Sequence, residues 1–373
     1  MRIAIDLRSL QTGFLSGVEN YTLNVLENLL STDRQNQYTL FYNAFRPTTA
    51  EHLHFVNSKV VKKRVPNRIL NLSLRFLNRP KFEEYIGDFD CLFMPNFNQF
   101  AISDTTKLAL TVHDLSPFVT PEFYDIKRRL WHKSIRVSNT LARANVIFAV
   151  SEYTKLDLVD KFKVDPNKIV VTPLGVDHEI FNPHLSEVRM REVRNVYGLP
   201  GEFILYLGTI EPRKNVDGLV RAFNNIQSSA SLVIAGRPGW KYNSVYKEIE
   251  RSPKKRNIHV LGFVEEQDKQ YLLKLAKVFA FPSFYEGFGL PVLEAMSVGT
   301  PVLTSQITSI PEVTGKTALL INPQNIDDIT GGLTELITNN ALRTQLAQQA
   351  LVRAQEFTWQ KTAQKVLEAF QKL

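Results

Sequence analysis

VFAFPSFYEGFGLPVLEAM, residues 278–296, is the stretch on which the fold turns. Its first four residues are apolar, with a β-branched and two aromatic side chains, and they predict a buried strand that stops at Pro282. Gly287 and Gly289 interrupt the segment beyond that proline, so 283–290 reads as a loop at the strand's carboxyl end. Pro291 suits the start of a helix, where a missing N–H costs little. In one continuous helix Glu286 and Glu294 would lie about 12 Å apart along the axis and roughly 80° apart around it, unrelated to each other. In a strand–loop–helix unit, Glu286 stands in the loop and Glu294 in the first helical turn. Both can then touch different parts of one extended ligand. The free amides at the helix start suit an anion such as phosphate. A tight β–α turn carrying a dipole-matched glutamate would give the same spacing without any ligand.

The same beat recurs along the chain. Strands are predicted at 2–6, 38–42, 59–61, 91–94, 108–112, 146–150 and 169–172, and again at 203–207, 231–235, 258–261, 278–281, 301–304 and 318–321. Helices are predicted at 18–30, 69–77, 122–142, 151–160, 217–227, 266–274, 291–298, 326–339 and 342–356. Such alternation makes parallel sheets with helices on both faces. The segment TPLGVDHEIFNP, 172–183, breaks the pattern and reads as a connection between two α/β, Rossmann-like domains. The expected division is 1–175, 176–356 and a C-terminal helix, 357–373, that returns to the first domain. Ligands of open α/β sheets sit beyond the carboxyl ends of the strands, which points to a cleft between the domains.

Composition narrows the chemistry. The chain has 373 residues, a formal charge of +8 and a single cysteine, Cys91. One cysteine excludes an internal disulfide and thiolate metal sites, and points to a reducing, cytoplasmic setting. No apolar run approaches the ~20 residues of a membrane span. The positive charge fits an anionic partner: nucleic acid, an acidic membrane or a phosphorylated small molecule.

The string EGFGLPVLEAM resembles the E-x7-E signature of the retaining family-four glycosyltransferases of GT-B fold, and it looks closest to bacterial mannosyltransferases of polysaccharide assembly. The likeness runs on through SVGTPVLTS (297–305) and SIPEV (309–313). GTIEPRKN (208–215) resembles the family's phosphate loop and LGFVEEQDKQYLL (261–273) its nucleotide-base region. SGVENYTLNVL (16–26), TVHDLSPF (111–118) and FTWQKTA (357–363) match as well. The resemblance implies a nucleotide-diphosphate sugar donor, GDP-mannose first, and a glycan or lipid-linked acceptor in surface polysaccharide assembly. It assigns His113, Glu286, Arg213 and Lys214 to the chemistry. It assigns Ser16, Gly17, Gly208, Phe263, Val264, Gly287, Phe288, Gly289, Leu290 and Glu294 to the donor. No cofactor and no metal are implied. Many relatives carry an arginine directly after the loop glycine, where this chain has Thr209.

Taken residue by residue, Arg213 and Lys214 follow a strand and can clamp a diphosphate, though an isolated basic pair is more often a solvated turn. His113 ends a strand; by resemblance it lies beside the donor sugar, and otherwise it caps a turn. Gly13 and Gly17 do not form G-x-G-x-x-G, which argues against a dinucleotide dehydrogenase. Asp88-Phe-Asp90 matches D-x-D but precedes its strand, so it reads as a solvated turn. Between His52 and Phe82 there is no acidic residue. If 68–79 is helical, Arg68, Arg75 and Arg79 share an arc of roughly 40°, opposite Ile69, Leu70, Leu74, Phe76 and Leu77. That pattern fits contact with an anionic membrane through 59–81, at the inner face of the cytoplasmic membrane, or equally a domain helix with solvated arginines. Competing functions are a GT-B epimerase or glycan phosphorylase and, from another class, a basic nucleic-acid binder. The chain carries no recognised nucleic-acid motif, so nucleic acid is not an expected partner.

Overall fold

The computed structural model describes residues 1–12, 17–45, 53, 55–129 and 136–373. The chain divides into two compact units. The first comprises Met1–Leu115, Lys127–Gly175 and Trp359–Leu373; the second comprises Ser116–Ile126 and Val176–Thr358.

The first unit holds a seven-stranded sheet of order β3-β2-β1-β4-β5-β6-β7. The strands are β1 Arg2–Asp6, β2 Gln37–Asn43, β3 Ser58–Lys63, β4 Cys91–Met94, β5 Lys107–Val112, β6 Val146–Ala149 and β7 Ile169–Val171. Each neighbouring pair runs parallel. β4, β5 and β6 are buried almost throughout, as continuous apolar runs in a doubly covered sheet should be. Helix Trp359–Phe370 packs along helix Gly17–Thr32. It sets Phe370 edge-on against Phe93 and Phe148, at 5.5 and 5.9 Å between ring centroids.

The second unit holds a six-stranded parallel sheet of order β10-β9-β8-β11-β12-β13. Its strands are β8 Phe203–Leu207, β9 Ser231–Ala235, β10 Ile258–Gly262, β11 Val278–Phe281, β12 Val302–Ser305 and β13 Leu319–Ile321. The order turns around between β8 and β11, which pair Val278 with Ile204 and Phe279 with Leu205. Diverging connections leave a crevice at the carboxyl ends of two such strands, and this is where open α/β sheets bind ligands.

All thirteen predicted strands are present. The predicted helix 122–142 is not continuous. Pro121–Phe123 forms one 3-10 turn, and Tyr124 is extended at φ −98° and ψ 146°. Tertiary contacts hold it there: Tyr124 stacks on Trp240 at 5.1 Å and its hydroxyl meets Ser116 Oγ at 2.5 Å. Helix is present again at residues 126–129 and at Val137–Arg143. The amphipathic helix also departs from expectation. It spans Asn67–Phe76, and only Leu70 and Leu74 face the core. Ile69, Leu72, Phe76 and Leu77 are more than half exposed. Asp90 is no free solvated carboxylate; it accepts from the Arg2 amide and guanidinium at 2.8 and 2.7 Å.

Candidate active site

The two loops that flank the turnaround of the second sheet bring the charged residues together. After β8 the chain passes Gly208 and forms a 3-10 turn, Pro212–Lys214, closed by Asn215 in the left-handed region at φ 55°. The Asn215 amide side chain donates to Pro323 O at 2.8 Å and fixes the turn. After β11 the loop 282–289 runs alongside, and Phe284 N donates to Arg213 O at 2.8 Å.

That lacing sets Glu286 between two cations. Lys214 Nζ lies 2.6 Å from Glu286 Oε1, and Arg213 Nη1 lies 3.2 Å from Oε2. Arg213 also donates to Tyr285 O at 2.6 Å and pairs with Glu211 at 2.9 Å. Lys214 sits over the Phe281 ring at 4.8 Å. All four charged groups are buried or nearly so. Burial pushes the Glu286 carboxyl up, but Lys214 and Arg213 outweigh it and leave the group below its ordinary value. Burial and the neighbouring Arg213 lower Lys214, against the pull of Glu286. Burial raises Glu211, and its two cations do not fully offset that. The basic pair is therefore a buried, carboxylate-oriented fork rather than a solvated turn.

Gly289 precedes helix Leu290–Ser297 with φ +102°, and a Cβ there would stand 2.5 Å from Ile310 Cδ1. A side chain is excluded both by the backbone conformation and by the neighbour. Phe288 is buried and meets Phe357 edge-on at 5.8 Å. Thr308, itself at φ 61°, accepts from Glu286 N at 3.2 Å, and Ser309 Oγ donates to Glu286 O at 2.9 Å. These bonds fix the backbone of Glu286 on both sides.

Glu294 lies a full turn into the helix, not in its first turn, so the dipole no longer governs it. Burial raises its carboxyl to about 7, with Lys269 opposing and Glu266 adding to the rise. It is 4% exposed, and among the described residues no donor reaches its carboxylate. A buried carboxylate without donors is costly unless a ligand supplies them. At the carboxyl end of β10, Phe263 is half exposed while Val264 is buried.

His113 and Gly17 belong to the first unit. His113 follows β5, and its Nε2 donates to Pro95 O at 2.8 Å, in the loop after β4. The neutral ring then keeps Nδ1 as an acceptor. Burial holds its pKa below the ordinary value. Tyr21 packs edge-on against the His113 ring at 4.8 Å and bonds Thr111 Oγ1 at 2.9 Å. Gly17 opens the helix that carries Tyr21. Ser16 lies outside the described residues, as does Gly13.

Sequence reasoning does not pick out Glu211, Thr308 or Ser309. Glu211 stands inside the phosphate-loop string, where a glutamate two residues before an arginine is a discoverable signal. The two hydroxyls come from a loop 22 and 23 residues away; Ser309 opens the SIPEV string, and Thr308 just before it carries no signal.

Comparison with known proteins shows the family and the fold. The pattern "Glycosyltransferase Family 4" matches residues 15–180 and "Glycosyl transferases group 1" matches 191–353. The chain is 32% identical over 298 residues to O-antigen chain mannosyltransferase B of Escherichia coli, covering 78% of this chain and 75% of the relative. It is 32% identical over 284 residues to the serotype-specific mannosyltransferase WbdA of Escherichia coli, covering 72% of this chain and 34% of the relative. Among solved structures, Anabaena HepE in complex with UDP and glucose superposes with a TM-score of 0.76 at 16% identity, over 100% of both chains. WaaG, a glycosyltransferase involved in lipopolysaccharide biosynthesis, superposes at 0.71 with 15% identity over 98% of each chain. Two parallel-sheet units in this likeness make the GT-B fold. With a relative matched over three quarters of its length and both halves recognised by glycosyltransferase patterns, the chain is a glycosyltransferase and belongs to family 4.

Proposed function

We infer that this enzyme transfers mannose from GDP-mannose, with retention of anomeric configuration, to a glycan or lipid-linked acceptor of a bacterial surface polysaccharide. The observation that carries the reading is the buried fork of Arg213 and Lys214 held on Glu286, beside the donor-less carboxylate of Glu294. A diphosphate takes both cations, arginine in fork geometry and lysine as a point charge. The amides near Gly289 and Leu290 add donors at a helix start. Ribose hydroxyls supply the missing donors of Glu294, and a sugar hydroxyl engages Glu286 as its cations turn to the diphosphate. On the first unit, His113 accepts from a sugar hydroxyl through Nδ1.

In the reaction, the acceptor oxygen forms a bond to the sugar's C1 as the bond from C1 to the diphosphate oxygen breaks. The acceptor's proton passes to the leaving diphosphate on the same face. Negative charge grows on that leaving group, so preorganised cations there stabilise the transition state more than the ground state. Glu286 positions and does not attack.

The partner surface is an anionic membrane, met by the basic segment 59–81. Ile69, Leu72 and Phe76 form an outward apolar stripe about 60° wide, bordered by Arg68 and Arg75. Among the described residues no helix is long and apolar enough to cross a membrane. Contact of this kind places the enzyme at the cytoplasmic face, where a lipid-linked acceptor is presented.

The test is product analysis with labelled GDP-mannose and an acceptor panel. A new α-mannosidic bond, matching the donor's α configuration, supports the reading, and a β-mannosidic bond rejects retention. Epimerised donor, or phosphate-dependent glycan cleavage, rejects it. Trapping a mannosyl adduct on Glu286 rejects the same-face step alone.

A further inference from the structure

The loops after β8, β9 and β10 are laced together by their backbones. Gly208 N donates to Ala235 O at 2.9 Å, Ile210 N to Arg237 O at 2.9 Å, and Gly239 N to Ile210 O at 2.9 Å. Gly236 N donates to Gly262 O at 2.7 Å. The fit is close enough that a Cβ on Gly236 would stand 1.9 Å from Gly208 O. Arg237 is thus fixed by its main chain to the loop that carries Arg213 and Lys214. Its guanidinium carbon lies 4.0 Å from the centroid of the Phe263 ring. Phe263 is half exposed at the carboxyl end of β10, and Arg237 is itself partly exposed. An arginine stacked on an aromatic ring gives up less freedom than a free one when its planar N–H edge meets a ligand.

We propose that Arg237 selects the nucleobase of the donor, with its N–H fork on the two adjacent acceptors of a guanine. This rests on the donor reading above and adds a residue to it. Guanine offers O6 and N7 side by side as acceptors; adenine sets an amino donor beside N7, and uracil offers no second ring acceptor beside O4. Phe263 holds the guanidinium plane from below, and Arg237 supplies the discrimination. An arginine placed here for phosphate alone would bind every nucleoside diphosphate alike.

Calorimetric titration of the full chain with GDP, ADP and UDP tests the assignment, on wild type, Arg237→Ala and Arg237→Lys. Wild type is expected to favour GDP over ADP and UDP. Arg237→Ala should weaken GDP by about tenfold or more and leave ADP and UDP almost unchanged. Arg237→Lys keeps the charge but not the fork, and should lose the preference for GDP as well. Equal weakening of all three nucleotides by Arg237→Ala would make Arg237 a phosphate contact and overturn the proposal. Unchanged GDP affinity in both variants would overturn it too, while leaving the donor site itself in place. Wild type that binds none of the three nucleotides would reject the donor reading and this proposal with it. Thermal unfolding of each variant establishes that it is folded before titration.

Discussion

Lys214 and Glu294 carry opposite electrostatic burdens, and each makes a sharp prediction. Lys214 is buried against Glu286 at 2.6 Å, so its ammonium is already oriented when charge develops on the leaving diphosphate. Lys214→Ala should lower turnover by about 10²–10³, or ~2.7–4 kcal/mol of barrier. Undiminished turnover in steady-state assays would remove it from the mechanism. Glu294 has its folded-state pKa raised from 4.5 to about 7. Its contribution to stability is therefore full below about pH 4.5 and is lost as pH rises through 7. Glu294→Gln removes that buried charge. At pH 8 the ligand-free variant should unfold at higher temperature than wild type, by an amount on the order of 3 kcal/mol at most, and near pH 5 the two should coincide. The same variant should bind nucleoside diphosphate more weakly, because an amide accepts less well than a carboxylate. Glu294 also marks where sequence reading stops short. The E-x7-E spacing puts it in the first turn, under the dipole. One turn further in, burial decides its charge, and burial depends on helices that pack from elsewhere in the chain.

At the scale of elements, the strands are plain in the sequence because parallel, doubly covered strands read as unbroken apolar runs, as in VFAF of β11 and FILYL of β8. Several helices escape such a reading, and the two longest show why. Glu187–Val196 buries only Val193, and Asn243–Arg251 only Val245 and Ile249, too few apolar positions for a periodic signal. The helix Asn67–Phe76 is legible in position but not in orientation. Its apolar residues divide into an inner pair, Leu70 and Leu74, and an outer set, and one sequence cannot say which side meets the core. The outer set gives a prediction. Replacing Ile69 and Phe76, 61% and 65% exposed, with serine should leave thermal stability unchanged and weaken binding to vesicles containing anionic lipid. Neutralising Arg68 or Arg75 should cost about 1 kcal/mol each, more at low salt than at high. Sedimentation with vesicles distinguishes these outcomes, and equal binding by all variants would discard the surface. The turn before helix Leu290–Ser297 gives another. Gly289→Ala faces both φ +102° and Ile310, and should destabilise the second unit by about 1–3 kcal/mol, read by denaturant unfolding.

For the molecule as a whole, two parallel sheets with distinct strand orders make ligand protection a regional property. Saturating GDP at about 100 times Kd should add ~2.7 kcal/mol to whatever binds it. Hydrogen exchange should show that protection in the loops following β8, β10 and β11. Protection that avoids all three would place the nucleotide elsewhere. The chain's path has a consequence for how the protein is made. The first unit draws on residues at both extremes of the chain, and Phe370 completes the aromatic cluster of Phe93 and Phe148. During synthesis, the N-terminal sheet must therefore wait, its helix Gly17–Thr32 uncovered, while the whole second unit emerges from the ribosome and folds. Nascent chains arrested before residue 359 should engage chaperones through that bare face, and release of the last helix should end the engagement.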